Sequence, residues 1–369
     1  MIDDLNIYAA SALAANRFCV AIYELSNDDV YSIIIQYDGR NAQNPWSKVV
    51  LNRNIESITN TLSQSKGNGF AALSSEGDIY TIHGQNIEND KIPGAGLNNE
   101  DSTGLGALNE TKFIDDCLYA VGLGGQVYKR NDTGIWEHFA QNIQPGNGYD
   151  TITFESVGGM KDDIYISGVA DPKSVASSKE LEKAIDDADA RGDDDEYFRL
   201  QKLARKQRHE TRKDPQGRLY HWNGAEWDDL DVDEHYPQGI FIEAPDKVWI
   251  GGGNEFILYG NAEDGFNAIE IAEKESITSI TKFKGRIICA GENGLYAYTH
   301  NEDRFQGKVD RIKPKDLKEH FELAPLKVQM VDDVMFYFDY NLGIYIWDED
   351  KTWTNITIPQ DLLERDKEG

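Results

Sequence analysis

Cysteine is scarce in this chain, which has three cysteines among 369 residues. Cys19, Cys117 and Cys289 are odd in number and widely spaced, so they offer neither a disulfide framework nor the paired spacing of a zinc site. Each of them lies in or beside the predicted second strand of a repeat that is described below. We therefore expect three reduced thiols that pack in the core.

Long apolar runs are absent as well. No apolar stretch reaches the ~20 residues that a membrane-spanning helix requires. The first residues, MIDDLNIYAASALAANRF, carry acidic side chains where a signal peptide carries positive charge. These two absences predict a protein without a membrane partner, located in the cytoplasm unless it is exported by a route that needs no signal.

Basic residues are in deficit. The chain has 37 lysines and arginines against 65 aspartates and glutamates, which gives a formal net charge of −28. Such a charge argues against nucleic acid, and against an anionic membrane surface, as direct ligands. Two explanations of the acidity stay open at this point: it keeps the protein soluble, or it attracts a basic partner.

Groups of side chains that are typical of catalysis or metal binding are also missing. The seven histidines fall at unmatched positions of the repeat, and the Asp-Asp pairs at 115/116, 162/163 and 332/333 lie in predicted turns. Asp187, Asp189 and Gly192 resemble the start of an EF-hand loop, but Arg191 stands where an oxygen ligand is required. The sequence thus predicts no catalytic residue, no metal site and no cofactor.

What the chain does contain is an internal repeat rich in tyrosine and tryptophan. Its clearest copy, CLYAVGLGGQVYKRNDTGIWEHF at residues 117–139, reads as three short strands joined by two turns. In six copies a tyrosine is followed seven to nine residues later by tryptophan or phenylalanine: Tyr37/Trp46, Tyr128/Trp136, Tyr220/Trp227, Tyr259/Phe266, Tyr296/Phe305 and Tyr345/Trp353. A seventh copy contains Tyr80 and no outer aromatic residue. Successive tyrosines are 43, 48, 92, 39, 37 and 49 residues apart, so one interval holds an insertion.

A repeat of roughly 40–50 residues with several strands per copy indicates a β-propeller. We predict an all-β fold, a single seven-bladed β-propeller domain over residues 1–369. The aromatic residues would supply contact area between blades, so Trp46, Trp136, Trp227 and Trp353 are expected at equivalent outer-strand positions. Residues 1–16 would be either the innermost strand of blade one or an arm that closes the ring, and residues 361–369 a frayed helical tail.

One turn resembles a known repeat family. The sequence NDTGIW at residues 131–136 resembles a degenerate Asp box of the BNR repeat kind. The likeness to a seven-bladed propeller extends over nearly all of the chain outside residues 170–216. It implies a fold but no activity, since propellers host enzymes, receptors and scaffolds alike.

Residues 170–216 interrupt blade four and have a different character. Apolar residues at positions 181, 184, 185 and 188 follow helical spacing, and Ser177 with Glu180 matches a capping box. A turn at Gly192 follows. Acids at 193–196 then begin a second helix and basic residues at 205–213 end it, as the helix macrodipole favours. The segment is therefore predicted to be a helical hairpin inserted in a propeller loop.

The hairpin is the predicted binding site. Two isolated helices bury little surface, so Leu181, Ile185, Leu200 and Leu203 are expected to pack within the hairpin. The remaining aromatic and basic side chains would then face the propeller or a partner. These predicted partner-binding residues are Tyr197, Phe198, Arg199, Lys202, Arg205, Lys206 and Arg208.

Three classes of function fit these features. A glycosidase-like or lactonase-like hydrolase and a general interaction scaffold are two of them. The third is a dedicated inhibitor, because a leaderless, acidic, single-domain binder with an unusual insertion resembles in kind the immunity proteins of bacterial toxin systems. We predict a non-enzymatic protein-binding propeller, monomeric by itself, which in its most specific form neutralises a basic toxin domain in the cytoplasm.

Overall fold

The computed structural model describes residues 5–24, 30–63, 67–131, 133–173, 179–211, 214–232, 235–253, 256–271, 275–292, 294–299, 308–312, 324–348 and 353–364. Within these ranges, no helix is both long enough and apolar enough to cross a membrane. The prediction for Phe305 and the capping box at Ser177 lie outside the described residues.

Seven antiparallel four-stranded sheets make up the fold, and each sheet uses four strands that are consecutive in the sequence. Blade one contains β1 (Leu5–Ala14), β2 (Arg17–Glu24), β3 (Ser32–Asp38) and β4 (Trp46–Leu51). Blade two contains β5 (Ile55–Ser63), β6 (Gly67–Ser74), β7 (Asp78–His83) and β8 (Asn86–Lys91). Blade three contains β9 (Leu108–Ile114), β10 (Cys117–Gly122), β11 (Val127–Arg130) and β12 (Trp136–His138).

The remaining blades repeat this arrangement. Blade four contains β13 (Tyr149–Met160), β14 (Asp163–Pro172), β15 (Gln216–Trp222) and β16 (Trp227–Leu230), with α1 (Lys179–Ala190) and α2 (Asp194–Thr211) between β14 and β15. Blade five contains β17 (Tyr236–Ala244), β18 (Lys247–Gly253), β19 (Phe256–Asn261) and β20 (Gly265–Glu270). Blade six contains β21 (Ile277–Phe283), β22 (Arg286–Gly291), β23 (Gly294–Thr299) and β24 (Lys308–Ile312). Blade seven contains β25 (Pro325–Val331), β26 (Val334–Asp339), β27 (Ile344–Trp347) and β28 (Trp353–Asn355), and α3 (Gln360–Leu363) follows it.

The first strand of each blade lies at the centre of the ring. Each of these inner strands contacts the inner strand of the next blade, and β25 contacts β1, so the ring is closed. The predicted seven-bladed propeller with a helical insertion in blade four is thus confirmed.

Short polar turns join the strands within a blade. Asp115 and Asp116, and likewise Asp332 and Asp333, have positive φ values in the turns between the first and second strands. Aspartate tolerates this left-handed conformation better than most residues, which explains these two Asp-Asp pairs as turn formers. At the third pair the positive φ belongs to Lys161, and Asp163 already begins β14. In the outer turn of blade three, the Asn131 side-chain oxygen accepts hydrogen bonds from the backbone of residues 133 and 135. Asn223 and Asn261 play the same part in blades four and five.

The four tryptophans predicted at equivalent positions each open an outer strand: Trp46 in β4, Trp136 in β12, Trp227 in β16 and Trp353 in β28. Two of them also link neighbouring blades. The Trp136 indole donates a hydrogen bond to Asp90 of blade two at 3.1 Å, and the Trp227 indole donates to the Phe139 carbonyl at 3.2 Å. The aromatic residues therefore pack between blades, as their spacing predicts.

The cysteines lie where the repeat places them, in second strands. Cys19 and Cys289 are fully buried and Cys117 is partly buried, and all three are free thiols. Burial raises the pKa of Cys19 and of Cys289 far above the usual range, so both remain protonated and unreactive at neutral pH.

Side-chain packing, rather than a shared sheet, closes the ring between blades seven and one. Phe18 and Ile7 of blade one pack with Phe336 and Phe338 of blade seven. The side chains of Ile356, Ile358, Leu362 and Leu363 cover the same cluster. The N-terminal segment is thus the innermost strand of blade one, and the helical segment at 360–363 is a packed part of the closure. The expectation of a frayed tail over residues 361–369 is wrong for Leu362 and Leu363, because their side chains contribute apolar area to the seam.

Candidate partner-binding face

The helical insertion lies on one face of the propeller, which we call the hairpin face. The hairpin face consists of the loops between second and third strands and of the connections between blades. It surrounds one mouth of the central channel. β13 and β14 form the longest strand pair described, and their ladder continues to the pair Tyr149–Pro172. The insertion therefore leaves the sheet at the end of an extended ladder.

Hydrogen bonds hold the base of the insertion. The backbone amide of Lys173 donates to the Gly148 carbonyl at 3.0 Å, and the Tyr236 hydroxyl of blade five donates to the Pro215 carbonyl at 2.9 Å. Arg218, near the start of β15, donates to the Pro145 carbonyl at 3.1 Å and stacks over the Tyr149 ring. Both chain ends of the insertion are thereby fixed to the ring.

A tight turn joins the two helices. Gly192 has a φ of +66°, and the amide of Asp193 donates to the Ala188 carbonyl at 3.1 Å, an arrangement typical of a helix C-terminus. The Asp193 carboxylate accepts the amide of Glu196 at 3.2 Å and so caps α2. The predicted turn at Gly192 and the acidic start of the second helix are both confirmed.

The hairpin has a small core of its own. Leu181, Ala188, Leu200 and Ala204 are buried there, and three further side chains pack against them: Ala184, Ile185 and Tyr197. Two details differ from the expectation. Leu203 is 40% exposed instead of packed, and the Tyr197 ring belongs to the core instead of standing free. The positions along α2 explain both differences. Tyr197 lies one helical turn before Leu200 and so shares the face of α2 that packs on α1, whereas Leu203 lies beside that face.

Phe198 is the most prominent apolar side chain on the hairpin. It is 68% exposed, the largest fraction among the exposed large apolar side chains of the described ranges. It lies in the first turns of α2, and its ring contacts only the edge of Tyr197 among the described aromatic rings. An exposed aromatic side chain of this kind is typical of a binding anchor.

The predicted basic residues of α2 share one face of that helix. Arg199, Lys202, Arg205 and Lys206 are all exposed and follow a spacing of three and four residues. Arg199 forms a salt bridge with Glu196 at 2.7 Å, one turn earlier. Arg208 belongs to α2, but its side chain lies outside the described part of the chain.

The tip of the hairpin is strongly acidic, a feature that the predicted residues do not include. Residues 186–196 contain seven acids and a single arginine. Asp186, Asp187, Asp194 and Asp195 are all exposed. The hairpin therefore separates its charges, with acids around the tip and Phe198, and bases farther along α2.

The mouth of the channel on the hairpin face is aromatic at one side. The rings of Tyr8 and Tyr23 stack with centroids 3.3 Å apart, and the Tyr340 hydroxyl hydrogen-bonds to the Tyr8 hydroxyl. Burial in this cluster raises the pKa of Tyr23 and of Tyr340, so these hydroxyls stay neutral at physiological pH. The stacked and hydrogen-bonded rings of these three tyrosines form the aromatic side of the mouth.

The channel itself encloses a cavity of about 440 Å³ lined by the inner strands. Five charged residues reach it: Glu56, Glu110, Lys112, Glu155 and Lys327. The Glu110 carboxylate accepts hydrogen bonds from the Ser156 hydroxyl at 2.7 Å and from the Val157 amide at 2.8 Å, which fixes it between blades three and four. The cavity is therefore polar and carries charges of both signs.

Burial in the channel shifts the pKa values of three of these groups. Burial raises the pKa of Glu56 and of Glu155, and the neighbouring carboxylate of Glu110 adds to the effect on Glu155. Burial and, to a smaller extent, the positive charge of Lys112 lower the pKa of Lys327 to about 7, while Glu110 opposes the shift. Sequence reasoning missed this cluster, since its five members are distributed over four inner strands that are distant in sequence: β5, β9, β13 and β25. Within the described ranges, no three His, Cys, Asp or Glu side chains are placed to hold a metal ion.

Comparison with known proteins identifies the fold alone. No family model and no curated protein matches the chain. Among solved structures, the extracellular domain of the putative one component system BT4673 from B. thetaiotaomicron has a TM-score of 0.55 at 12% identity over 92% of this chain, which spans 38% of that longer chain. YCF48 bound to D1 peptide has a TM-score of 0.54 at 11% identity, covering 92% of this chain and 91% of that one. The WD40 propeller domain of Doa1 has a TM-score of 0.53 at 8% identity, covering 95% of both chains.

Proposed function

We propose that this protein binds a protein partner through its hairpin face and catalyses no reaction. The observation that carries the proposal is the hairpin, which folds around its own small core and still leaves Phe198 68% exposed among acidic side chains. Folding of the hairpin does not require that exposure. A propeller of the same fold, YCF48, has been seen with a bound peptide, which supports binding of a polypeptide.

The partner in this proposal is basic. The protein carries a net charge of −28, and the seven acids at residues 186–196 lie around the exposed Phe198. A field of this sign accelerates encounters with a positively charged surface. The aromatic ring would then supply the desolvated contact that charge alone does not provide. The basic residues of α2, from Arg199 to Arg208, would meet acidic groups at the edge of the same interface.

The most specific form of the proposal is inhibition of a basic toxin domain in the cytoplasm. A separately folded arm can reach into a cleft of an enzyme, while the rigid ring beside it blocks access. The acidic charge favours this reading over a general scaffold, which has no need of one sign of charge. A propeller hydrolase would instead place its chemistry in the channel.

Site-specific photo-cross-linking in the cells of origin tests the proposal. A benzoylphenylalanine at position 198 is compared with the same residue at position 135, because Ile135 is 61% exposed and lies in an outer turn of blade three. We expect position 198 to capture one basic protein that position 135 does not capture. Equal capture at both positions, or capture of an acidic protein at 198, would contradict the proposal.

The inhibitor form has its own test. The captured partner is expressed in bacteria with and without this protein, and growth is measured. An inhibitor restores growth, and the Phe198→Ala variant restores less of it than Ile135→Ala does. A partner that leaves growth unaffected when expressed alone would exclude the toxin and leave the broader binding function intact.

A further inference from the structure

The charged side chains of the central cavity are arranged by sign along the channel. Each of them lies on an inner strand, so its height in the channel follows from the hydrogen bonds between neighbouring inner strands. The Ser57 hydroxyl donates to the Thr111 carbonyl at 3.5 Å, and the Phe113 amide donates to the Thr59 hydroxyl at 3.3 Å. β5 and β9 thus run side by side, with position 56 level with position 110 and position 58 level with position 112.

The three carboxylates occupy the level nearer the hairpin face, where the inner strands begin. Glu56 is level with Glu110, and the Ser156 hydroxyl donates to the Glu110 carboxylate at 2.7 Å, which places the preceding residue, Glu155, at the same height. After burial, the charge of Glu110 is the next contribution that raises the pKa of Glu155, so these two carboxylates are close to each other. The hairpin end of the channel is therefore negative.

The two lysines lie farther from the hairpin face. Lys112 follows Glu110 by two residues on β9, so a strand rise of about 7 Å separates their positions. The Lys327 amine donates to the Ile58 carbonyl at 3.3 Å, and position 58 is level with Lys112. The two amines therefore form a positive level that lies next to the level of the carboxylates.

The two levels are not joined by salt bridges. Within the part of the chain that the structure describes, no salt bridge includes a lysine or a glutamate of this cavity. A lysine ammonium has three donors, and Lys327 directs two of them to the Ala10 and Ile58 carbonyls, so one N–H remains for an acceptor in the cavity. Charged groups in a partly buried cavity are stabilised by a ligand that carries the opposite charges.

We propose that the central channel binds a small zwitterion whose ammonium and carboxylate groups lie several ångströms apart, as in an ω-amino acid or a dipeptide. The ammonium group lies among the three glutamates, and the carboxylate group accepts hydrogen bonds from Lys112 and Lys327. The cavity of about 440 Å³ admits a molecule of this size. An α-amino acid carries both charges on one carbon atom, which is too close to reach both levels. This site is separate from the hairpin and does not depend on the proposed partner.

Both charges of the ligand are needed for this fit. An amine without a carboxylate leaves the lysines unmatched, and a carboxylate without an amine is repelled by the three glutamates. Burial lowers the pKa of Lys327 to about 7, and a ligand carboxylate beside this amine favours its ammonium form. A molecule with one charge is therefore expected to bind much more weakly than a zwitterion of the same length.

Isothermal titration calorimetry of the purified protein at pH 7 tests the proposal with matched probes. δ-Aminovalerate carries both charges, whereas pentylamine and valerate each carry one of them on a similar carbon chain. We expect δ-aminovalerate to bind at least ~10-fold more tightly than either single-charge probe. Glycylglycine is the probe for a peptide source, and its affinity relative to δ-aminovalerate shows which kind of zwitterion fits better. Pentylamine binding as tightly as δ-aminovalerate, or no measurable binding of either zwitterion, would overturn the proposal.

Two variants test whether the zwitterion lies in the channel. Glu155→Gln and Lys112→Gln each remove one charge from a different level, whereas Glu110 and Lys327 are left intact because their hydrogen bonds join blades. Each variant is expected to weaken binding of δ-aminovalerate by ~10-fold. Glu137→Gln, at an exposed position of β12, is the control and should bind normally. Unchanged affinity in both channel variants would place the bound zwitterion elsewhere and contradict the proposal.

Discussion

The ring and the hairpin use aromatic residues in opposite ways. In the ring, the tryptophans that open the outer strands lie between blades, where Trp136 is 8% exposed and Trp353 is 6% exposed. In the hairpin, four buried side chains form the core while Phe198 is 68% exposed. Burial of an aromatic side chain stabilises a fold, and its exposure does not. The aromatic residues of the ring therefore stabilise the fold, whereas Phe198 contributes little to it and is the residue that we propose meets a partner.

The largest effect is expected at the closure of the ring. Phe338 is fully buried and stacks with Phe336 at 5.7 Å between centroids. Phe338→Ala should destabilise the protein by about 3–5 kcal/mol, measured by chemical unfolding. Leu200→Ala is the control in the hairpin and should leave unfolding of the ring nearly unchanged. Equal losses in both variants would mean that ring and hairpin unfold as one unit.

The ring should also respond to pH through Lys327. The pKa of this lysine is about 7 in the folded protein and 10.5 in the unfolded chain, so between these pH values the unfolded chain binds one more proton. The free energy of unfolding therefore rises with pH in this window, and the penalty is fully present below pH 7. Compared with Lys327→Met, the unaltered protein should gain about 3–4 kcal/mol between pH 7 and 10. A constant difference between the two proteins would contradict the low pKa.

Phe198 should matter for binding and not for stability. Phe198→Ala is expected to weaken binding of the cross-linked partner by ~30-fold, as for an aromatic hot spot, with no change in melting temperature. Isothermal titration calorimetry measures the affinity. Ile135→Ala is matched in exposure and should bind normally. A loss of affinity in both variants would point to a general apolar effect.

The smallest effect is expected from the charges at the tip. Replacing the exposed acids at positions 186, 187, 194 and 195 by asparagine should slow association by ~10-fold at low salt and much less at high salt. Asparagine at positions 115, 116, 332 and 333 is the control, because these exposed acids lie in turns on the opposite face and asparagine tolerates their positive φ. Equal slowing in both variants would assign steering to total charge and not to the tip.

Local patterns made much of the ring predictable. The spacing from tyrosine to tryptophan and the Asn and Asp turns are set within one blade, so they are visible in sequence. The pairing register between the third strand and the outer strand of a blade was harder to predict. Tyr37 pairs directly with Trp46, whereas Tyr128 lies two residues before Arg130, the partner of Trp136. The number of residues between the tyrosine and the outer aromatic residue varies only from seven to nine, so it does not reveal which residue of the third strand pairs with the tryptophan.

The channel could not be predicted in the same way. Lys327 meets carbonyls that are 317 and 269 residues away in sequence, and no local pattern links them. In the hairpin, the helices and their turn follow local rules, but the exchange of roles between Tyr197 and Leu203 depends on how the two helices meet. Sequence indicates where the hairpin lies more readily than which of its side chains face outward.

We propose that the hairpin binds the protein partner and that the ring holds the hairpin in place. The most direct test deletes residues 173–215, bridges the gap with a short Gly/Ser linker, and measures affinity for the partner captured at position 198 together with the melting temperature. We expect a folded ring with a nearly unchanged melting temperature and binding weakened by at least ~10-fold. Undiminished binding by the folded deletion variant would contradict it.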